Sequence, residues 1–401
     1  MNHQENFDLV IVGGLGHVGL PLGLAFTNKD KKVCLFDINR DVAETVKKGE
    51  MPFIEYGAEP LLKRALKKNL LTISNEEEVL SQTQILIIAL GTPVDEYLNP
   101  KTRNFLEFFR KVKKNLRPEQ LIIIRSTVYP QTAKQLWQEL GEKESWKIAY
   151  CPERIAQGYS IKELEELPQI VSGLSEEAVS EAEKLFSLIA PKIIRTSISE
   201  AELVKLFCNA WRYIQFAVTN QFFMISERFG VNYDRVRDAM VNGYGRASSL
   251  PGPGFAAGPC LLKDTMQLAA FESNQFFLGH AAMMVNEGLP QFLVESLRKR
   301  HDLKNKPIGI LGMAFKADID DPRDSLSYKL GKILRFHGAK VQYSDEFVKD
   351  PTFISKEKLI NQNKIIFVGI PHSAYKDLVI PSDKEVIDLW DIVQGGIRPI
   401  R

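Results

Sequence analysis

Asp8-Leu9-Val10-Ile11-Val12-Gly13-Gly14-Leu15-Gly16-His17-Val18-Gly19 is the stretch whose reading decides the fold of this chain. An apolar, β-branched run opens it, and a helical pattern through Leu20, Leu24 and Phe26 follows, so the glycines lie between a strand and a helix. Gly14, Gly16 and Gly19 carry the GxGxxG spacing, and a second apolar run, Lys32 to Phe36, ends on Asp37 at the distance expected of a dinucleotide-binding βαβ unit. In such a unit Gly14 makes the tight turn, Gly16 lets a pyrophosphate approach the helix N-terminus, and Gly19 lets the helix pack on the strand, with His17 and Val18 in the same loop. Asp37 accepts from the adenosine ribose hydroxyls and repels a 2′-phosphate. The expected cofactor is NAD, and Arg40 is near enough to keep NADP open.

Two more buried strands follow. Gln84 to Ala89 runs into Gly91-Thr92-Pro93-Val94, and Leu121 to Ile124 runs into Arg125-Ser126-Thr127-Val128-Tyr129-Pro130. In an open parallel sheet ligands bind at the carboxyl edge, which makes Thr92, Pro93, Ser126 and Thr127 candidate cofactor contacts, although strand-end hydroxyls also serve as simple caps. Lys147 to Tyr150 leads to Cys151-Pro152-Glu153-Arg154 on that edge, where Glu153 is either a site carboxylate or a surface one. After the charged stretch Lys299 to Lys306, Pro307 to Leu311 opens a second α/β pattern ending in Gly312-Met313-Ala314-Phe315-Lys316. Further strands are expected at Lys340 to Ser344, Lys364 to Gly369 and Glu385 to Leu389. The fold class is α/β, two Rossmann-like doubly wound parallel sheets joined by a helical segment. Lys316 and Arg323 lie where a diphosphate could bind; salt bridges with Asp318, Asp320, Asp321 and Asp324 are the other reading.

Between the sheets, Ser199-Glu200-Ala201-Glu202 has the form of a capping box, and Leu203, Leu206, Phe207, Ala210, Ile214 and Ala217 keep helical spacing toward Phe229. A helix this long and apolar on more than one side packs against another domain or subunit. Lys205 and Asn209 stand one turn apart on it. Downstream, past Arg246, Ser248 to Thr265 holds three glycines and three prolines, so the backbone stays irregular until a helix starts after Pro259 with Cys260 in its first turn. The positive end of the helix dipole favours thiolate there, and Lys263 adds a cation. A cysteine is more often a small buried hydrophobe, but a loop built to deliver one, with Lys263 and Asp264 one turn on, points to a nucleophile.

A chain of 401 residues predicts two or three domains. Its formal charge of +2, from 52 basic and 50 acidic residues, gives no global field for nucleic acid or an anionic membrane. The N-terminus lacks the order of a secretory signal, and the apolar segments are too short or too interrupted to span a bilayer. The expected location is cytoplasmic. Cys34, Cys151, Cys208 and Cys260 occur singly, without disulfide or metal spacing.

With these residues in place, the sequence resembles the nucleotide-sugar 6-dehydrogenases, the UDP-glucose/GDP-mannose dehydrogenase family, over nearly its whole length. The resemblance rests on Gly14 to Pro21, Gly49 to Glu55, Gly91-Thr92-Pro93, Ser126-Thr127-Val128 and Cys151 to Arg154. It continues in the Lys205 and Asn209 pair, in Gly254-Phe255 through Asp264, in Gly312 to Lys316, in Asp320-Asp321 and in Arg323 to Ser325. It implies an NAD-binding domain over 1–198, a central helical domain for dimerisation and catalysis over 199–300, and a UDP-sugar-binding domain over 301–401. It also implies a four-electron oxidation of the sugar C6 alcohol to a carboxylate, using two NAD. Cys260 would form a thiohemiacetal and then a thioester. Lys205 and Asn209 would stabilise oxyanions, Asp264 would order Lys205 and a water, and Glu153 and Thr127 would position or activate the hydrolytic water. Lys316 and Arg323 would hold the diphosphate, and Arg246 would reach the neighbouring subunit's site in a homodimer or higher oligomer. Glu153, Arg154, Gly254 and Phe255 would line the sugar.

Some residues depart from the pattern. Ala256-Ala257-Gly258-Pro259 replaces a Gly-Gly run, Gln131 stands where Gly is usual, Gln221 where Glu is, and Gln157 where the UDP-glucose members are often acidic. Cys151 to Gly158 and Leu250 to Gly254 look like the UDP-N-acetylglucosamine and UDP-N-acetylmannosamine enzymes, whereas Lys263-Asp264 looks like the UDP-glucose ones. The expected substrate is a UDP-N-acetylhexosamine, with UDP-glucose as the alternative. A single-oxidation hydroxyacid dehydrogenase would have no use for Cys260, and a catalytically silent NAD sensor would not need the full set of site residues.

Overall fold

The computed structural model describes residues 6–95, 101–141 and 146–398. The chain forms two compact units, Met1–Cys208 and Asn209–Arg401. The first carries strands β1 (Leu9–Val12), β2 (Val33–Phe36), β3 (Leu71–Ser74), β4 (Ile85–Ile88), β5 (Leu121–Ile124), β6 (Lys147–Tyr150), β7 (Gln169–Gly173) and β8 (Ile193–Arg195). They form one sheet in the order β3-β2-β1-β4-β5-β6-β7-β8, parallel except where β6 meets β7. β1 pairs with β2 on one side and β4 on the other, so the strand order reverses at its carboxyl end, immediately before Gly13.

Helices cover both faces, which is why β1, β2 and β5 are apolar at every position rather than alternating. Ile11, Leu35 and Ile123 pack with Leu20 and Leu24 on one face. Val10, Val12, Cys34 and Ile122 pack with Phe105 and Phe109 on the other. The expected strands are all present. β3, β7 and β8 were not foreseen: β3 and β8 lie at the sheet edges and are partly exposed, and β7, Gln169-Ile170-Val171-Ser172-Gly173, is interior and buried but has only two apolar residues in a row, so none carries the continuous apolar run that marks a central strand.

The helix Ile198–Phe229 crosses the 208/209 boundary and supplies residues to both units. Its capping box is Ser197 with Glu200, two residues before the expected one: the Ser197 N–H donates to Glu200 Oε2 at 2.7 Å and the Glu200 N–H to Ser197 Oγ at 3.4 Å. Glu202, expected in that box, is 1% exposed and caps a different helix, Thr132–Leu140, accepting from the Gln131 N–H at 2.6 Å and the Ala133 N–H at 3.1 Å. Gln131 is held at φ 74°, a conformation costing a non-glycine residue roughly 1 kcal/mol or more. The Glu202 bond offsets that cost.

The second unit carries the helices Tyr233–Val241, Leu261–Phe271 and Phe277–Arg298, then β9 (Pro307–Leu311), β10 (Lys340–Ser344), β11 (Ile365–Val368), β12 (Val379–Asp388) and β13 (Gln394–Ile397). The sheet is parallel throughout, in the order β10-β9-β11-β12-β13. β12 begins at Val379, ahead of the expected Glu385, because its register with β13 shifts between Ile380 and Glu385. β13 hides behind Gly395 and Gly396, both at positive φ. The architecture is two Rossmann-like α/β domains with a central helical domain. Among the described residues no helix is long and apolar enough to cross a membrane.

Candidate active site

At the end of β1 it is Gly13, at φ 73°, that takes the left-handed turn; a Cβ there would stand 2.7 Å from the Ala89 carbonyl oxygen. Gly14, the expected turn residue, is needed for packing instead, since its Cβ would meet the Leu35 side chain at 2.7 Å. Gly19 packs tightest, 2.4 Å from the Gly13 oxygen. Gly16 differs from all three, because a Cβ there would have only the Gly13 oxygen, at 3.6 Å, within 4 Å. That open face precedes the helix Gly19–Thr27, whose N-cap Val18 provides no side-chain cap; the Leu20 N–H turns back to the Gly16 carbonyl at 3.0 Å and Pro21 has none, so it is the open loop at Gly16 that leaves room for a phosphate beside the helix start. Asp37 accepts from the Leu15 N–H at 3.1 Å and the Asn39 N–H at 3.0 Å, which holds its carboxylate beside the loop. His17 stacks on Phe53 with ring centroids 4.0 Å apart, and Gln157 Nε2 lies 3.5 Å from its Nε2. These residues fit a dinucleotide.

On the neighbouring strand ends, the Thr92 hydroxyl donates to the Thr127 carbonyl at 2.5 Å, beside Pro93. The Ser126 hydroxyl donates to the Leu90 carbonyl at 2.7 Å, acting as the simple cap that the sequence left open. Glu153, also on this edge, is partly buried. Its Oε1 accepts from Lys205 Nζ at 3.0 Å and its Oε2 from the Ile155 N–H at 2.9 Å. It is therefore no surface carboxylate: it and Lys205 form an ion pair with side chains 12% and 6% exposed. The Arg154 guanidinium is turned to the Pro168 carbonyl.

In the second unit Cys260 is exposed and stands at the N-cap of Leu261–Phe271, one position before the expected first turn. No side chain caps that helix. Cys34 and Cys151, by contrast, are pushed up to about 12 by burial. Lys263, expected to be the cation beside the thiol, is bonded to Asp264. Asp264 is fully buried and also accepts from Asn209 Nδ2 at 2.5 Å. The Arg323 guanidinium is held above its ordinary value first by the Asp321 hydrogen bond, then by the Asp321 charge, with the Cys260 thiol adding to it. Arg323 Nε lies 2.9 Å from Asp321 Oδ1, so the salt bridge that the sequence left as one reading is present.

The loop ahead of Cys260 is pinned on both sides. Gly254, at φ 153°, lies under the Trp390 ring, where a Cβ would come within 1.8 Å, and Gly258 lies against Phe315. Asn220 donates to the Gly254 carbonyl at 3.0 Å and accepts from its N–H at 2.9 Å, while Phe255 is buried beside it. Arg246 is exposed over the Tyr244 ring, 5.3 Å from its centroid. Lys316 is partly exposed after β9. A cavity of about 830 Å³ opens beyond β11 and β12, lined in part by Lys376, Trp390 and Arg398, and neither Lys316 nor Arg323 lines it.

Family models for the NAD-binding, central and UDP-binding domains of UDP-glucose/GDP-mannose dehydrogenases match residues 8–190, 199–287 and 309–395 in turn. The chain belongs to that family. It is an NAD-dependent nucleotide-sugar dehydrogenase. The UDP-N-acetyl-D-mannosamine dehydrogenase of Pyrococcus horikoshii is 30% identical to this family member over 383 residues, covering 92% of this chain and 90% of its own. A solved structure of the UDP-D-ManNAc dehydrogenase from Pyrococcus horikoshii has a TM-score of 0.87 at 28% identity, covering 97% of this chain and 98% of its own. The NDP-N-acetyl-D-galactosaminuronic acid dehydrogenase of Ralstonia nicotianae is 27% identical over 398 residues, 93% of each chain.

Several residues that shape the dehydrogenase site went unread in the sequence. Glu55 is buried, which raises its carboxyl above the ordinary value, and accepts from the Gly158 N–H at 3.2 Å and the Ser160 hydroxyl at 2.9 Å, anchoring the turn that follows Glu153. Its motif was visible but not its partner. Asn220 and Trp390 gave no local signal and Glu202 only that of a capping box it does not form, because their partners are distant in the chain.

Proposed function

We propose that the chain oxidises the C6 alcohol of a UDP-N-acetylhexosamine, UDP-N-acetylmannosamine or UDP-N-acetylglucosamine, to the uronic acid. The observation that carries this reading is Cys260, exposed at an uncapped helix N-terminus on a loop pinned by Asn220, Trp390 and Phe315. NAD, which the loop 13–19 and Asp37 would hold, would supply the hydride acceptor for both oxidations at C6. Cys260 Sγ adds to the aldehyde carbon of the first product and holds it as a thiohemiacetal, whose oxidation gives a thioester. Lys205 and Asn209 donate to the oxygen on C6, a role typically worth about 3 kcal/mol per donor. Asp264 orients Asn209. Glu153 and Thr127 position the water that cleaves the thioester, with Glu153 taking its proton. Lys316 and Arg323 hold the diphosphate, and Arg154, Gly254 and Phe255 line the sugar. The division into 1–198, 199–300 and 301–401 follows these roles.

The N-acetylhexosamine choice is supported by the relatives named for N-acetylated sugars and by the small residues Ala256, Ala257 and Gly258 ahead of the cysteine. We read the partner as a second copy of the chain, bringing Arg246 to the neighbouring site. Trp211, Val218, Phe222, Ile225 and Phe229 are exposed at helical spacing on Ile198–Phe229, an apolar face suited to its own copy.

Counting NADH per sugar tests the chemistry: two per UDP-sugar supports it, and one overturns the thioester route. Cys260→Ala should abolish acid formation while NAD affinity stays within a few-fold. Steady-state kinetics across UDP-N-acetylmannosamine, UDP-N-acetylglucosamine, UDP-glucose and GDP-mannose test the sugar. A kcat/KM preference of at least about tenfold for an N-acetylated substrate needs only about 1.4 kcal/mol of differential binding. A preference for UDP-glucose would overturn the assignment and leave the cysteine chemistry standing.

A further inference from the structure

The turn 313–318 follows β9 and carries Lys316, which is partly exposed. Its near end is held by Asp345, whose Oδ2 accepts from the Met313 N–H at 2.5 Å and the Ala314 N–H at 3.0 Å. Its far end is held by His372, whose Nδ1 accepts from the Asp318 N–H at 2.9 Å. That acceptor role leaves the ring proton on Nε2, which donates to the same Asp345 Oδ2 at 3.0 Å. One histidine with a fully buried side chain therefore ties the residues before Lys316 to the second residue after it. Asp318 sits at φ 59°, and its Oδ1 accepts from the Ser373 N–H at 2.7 Å and the Ser373 hydroxyl at 3.0 Å, a second tie to the loop that carries His372. Between the ends, the Phe315 N–H donates to the Asp321 carbonyl at 2.9 Å and Ser325 Oγ donates to the Ala314 carbonyl at 2.9 Å.

Filling this space does not require a histidine. Asp345 already accepts four backbone N–H groups, and an apolar ring between Phe347 and Tyr375 would avoid burying an imidazole. What the imidazole adds is a donor on one edge and an acceptor on the other, which together bridge Asp345 to the Asp318 N–H.

We infer that His372 and Asp345 are positioning residues for the substrate: they fix the backbone on both sides of Lys316, so that its ammonium meets the diphosphate without the turn having to be ordered on binding. The inference rests on the function proposed above, which puts Lys316 at the diphosphate. Both residues act through the turn.

The test titrates UDP into the full chain by calorimetry. His372→Phe, which keeps a ring in the space and removes both bonds, should weaken UDP at least about tenfold and raise the KM of a UDP-N-acetylhexosamine to match, with kcat and the NAD KM within about threefold of the unmodified enzyme. His372→Gln keeps one donor and one acceptor and should bring UDP affinity back to within about threefold. In a Lys316→Ala background, itself weaker for UDP, His372→Phe should cost nothing further, because no ammonium is left to position. Should His372→Phe not fold, Ser373→Ala removes only the hydroxyl bond to Asp318 and reads the same tie, with UDP weakened about threefold in the unmodified background and not in Lys316→Ala. Unchanged UDP affinity in the folded variants, or an equal loss in both backgrounds, would overturn the inference and leave the proposed function standing. If the unmodified protein bound no UDP, the proposed function would fall as well, and that outcome is read before any variant is made.

Discussion

The two parallel sheets begin alike and end differently. β1 turns at Gly13, φ 73°, and β9 at Gly312, φ 88°; an aspartate follows the second strand of each, Asp37 in one and Asp345 in the other. Asp37 accepts two backbone N–H groups and stays partly exposed beside the open face of Gly16. The Asp345 side chain is fully buried: it accepts from the N–H groups of Met313, Ala314, Phe347 and Val348, and His372 Nε2 closes on it at 3.0 Å. The helix after Gly13 starts uncapped, whereas the one starting at Leu326 is capped by Ser325 Oγ, which accepts from the Ser327 N–H at 3.3 Å. One turn and one acid thus serve two ends. In the first sheet they are left for a ligand, and in the second the protein fills them with its own histidine.

This contrast breaks most sharply at Asp345. Replacing it with Asn leaves His372 and four N–H groups facing a neutral amide, and should cost the protein about 3 kcal/mol by urea unfolding. Asp37→Asn should cost under about 0.5 kcal/mol, because water reaches that carboxylate; similar losses at both positions would erase the difference between the sheets.

Gly312→Ala is expected to destabilise by about 2 to 3 kcal/mol, since φ 88° is strained for alanine and its Cβ would stand 2.8 Å from Ile370 backbone and side-chain atoms. Gly16→Ala should leave the thermal midpoint unchanged and weaken NAD at least tenfold by calorimetry. A Gly16 variant with normal NAD affinity would show that its open face is not the pyrophosphate site.

The acid limb of stability sharpens the same comparison. Burial would raise the Asp345 carboxyl, but the His372 ring and the N–H groups of Val348 and Met313 outweigh it and hold it down at about 2. Because the folded value lies below the unfolded one of about 3.9, the stabilisation is complete above roughly pH 4 and is lost as pH falls toward 2, a change of about 2 kcal/mol. The stability difference between the unmodified protein and Asp345→Asn should therefore narrow from pH 5 to pH 3. A constant difference would remove this electrostatic role from Asp345.

The smallest effect concerns cofactor choice. Asp37→Ser should raise the NAD Michaelis constant about tenfold and narrow the discrimination against NADP, with folding intact. Equal use of NAD and NADP by the unmodified enzyme would already contradict the reading of Asp37.

The sequence by itself determined the two sheets, the cofactor loop and the cysteine loop, because each depends on neighbours in the chain. A β-branched run followed by spaced glycines, or prolines ending just before Cys260, constrains the backbone within a few residues. Only the tertiary structure decided which glycine turns and which packs, because Gly13 and Gly14 differ in what lies across from them, Ala89 in one case and Leu35 in the other. It also decided that Glu202 leaves its own capping box to hold Gln131, that Lys263 is bonded to Asp264, and that Glu153 meets Lys205. Charge and hydrogen-bond pairing act through space at a few ångströms, and a single sequence records separation along the chain. Asp37 and Asp345 could be read alike as acids after a strand, but whether a ligand or His372 meets them depends on which loop the fold brings alongside.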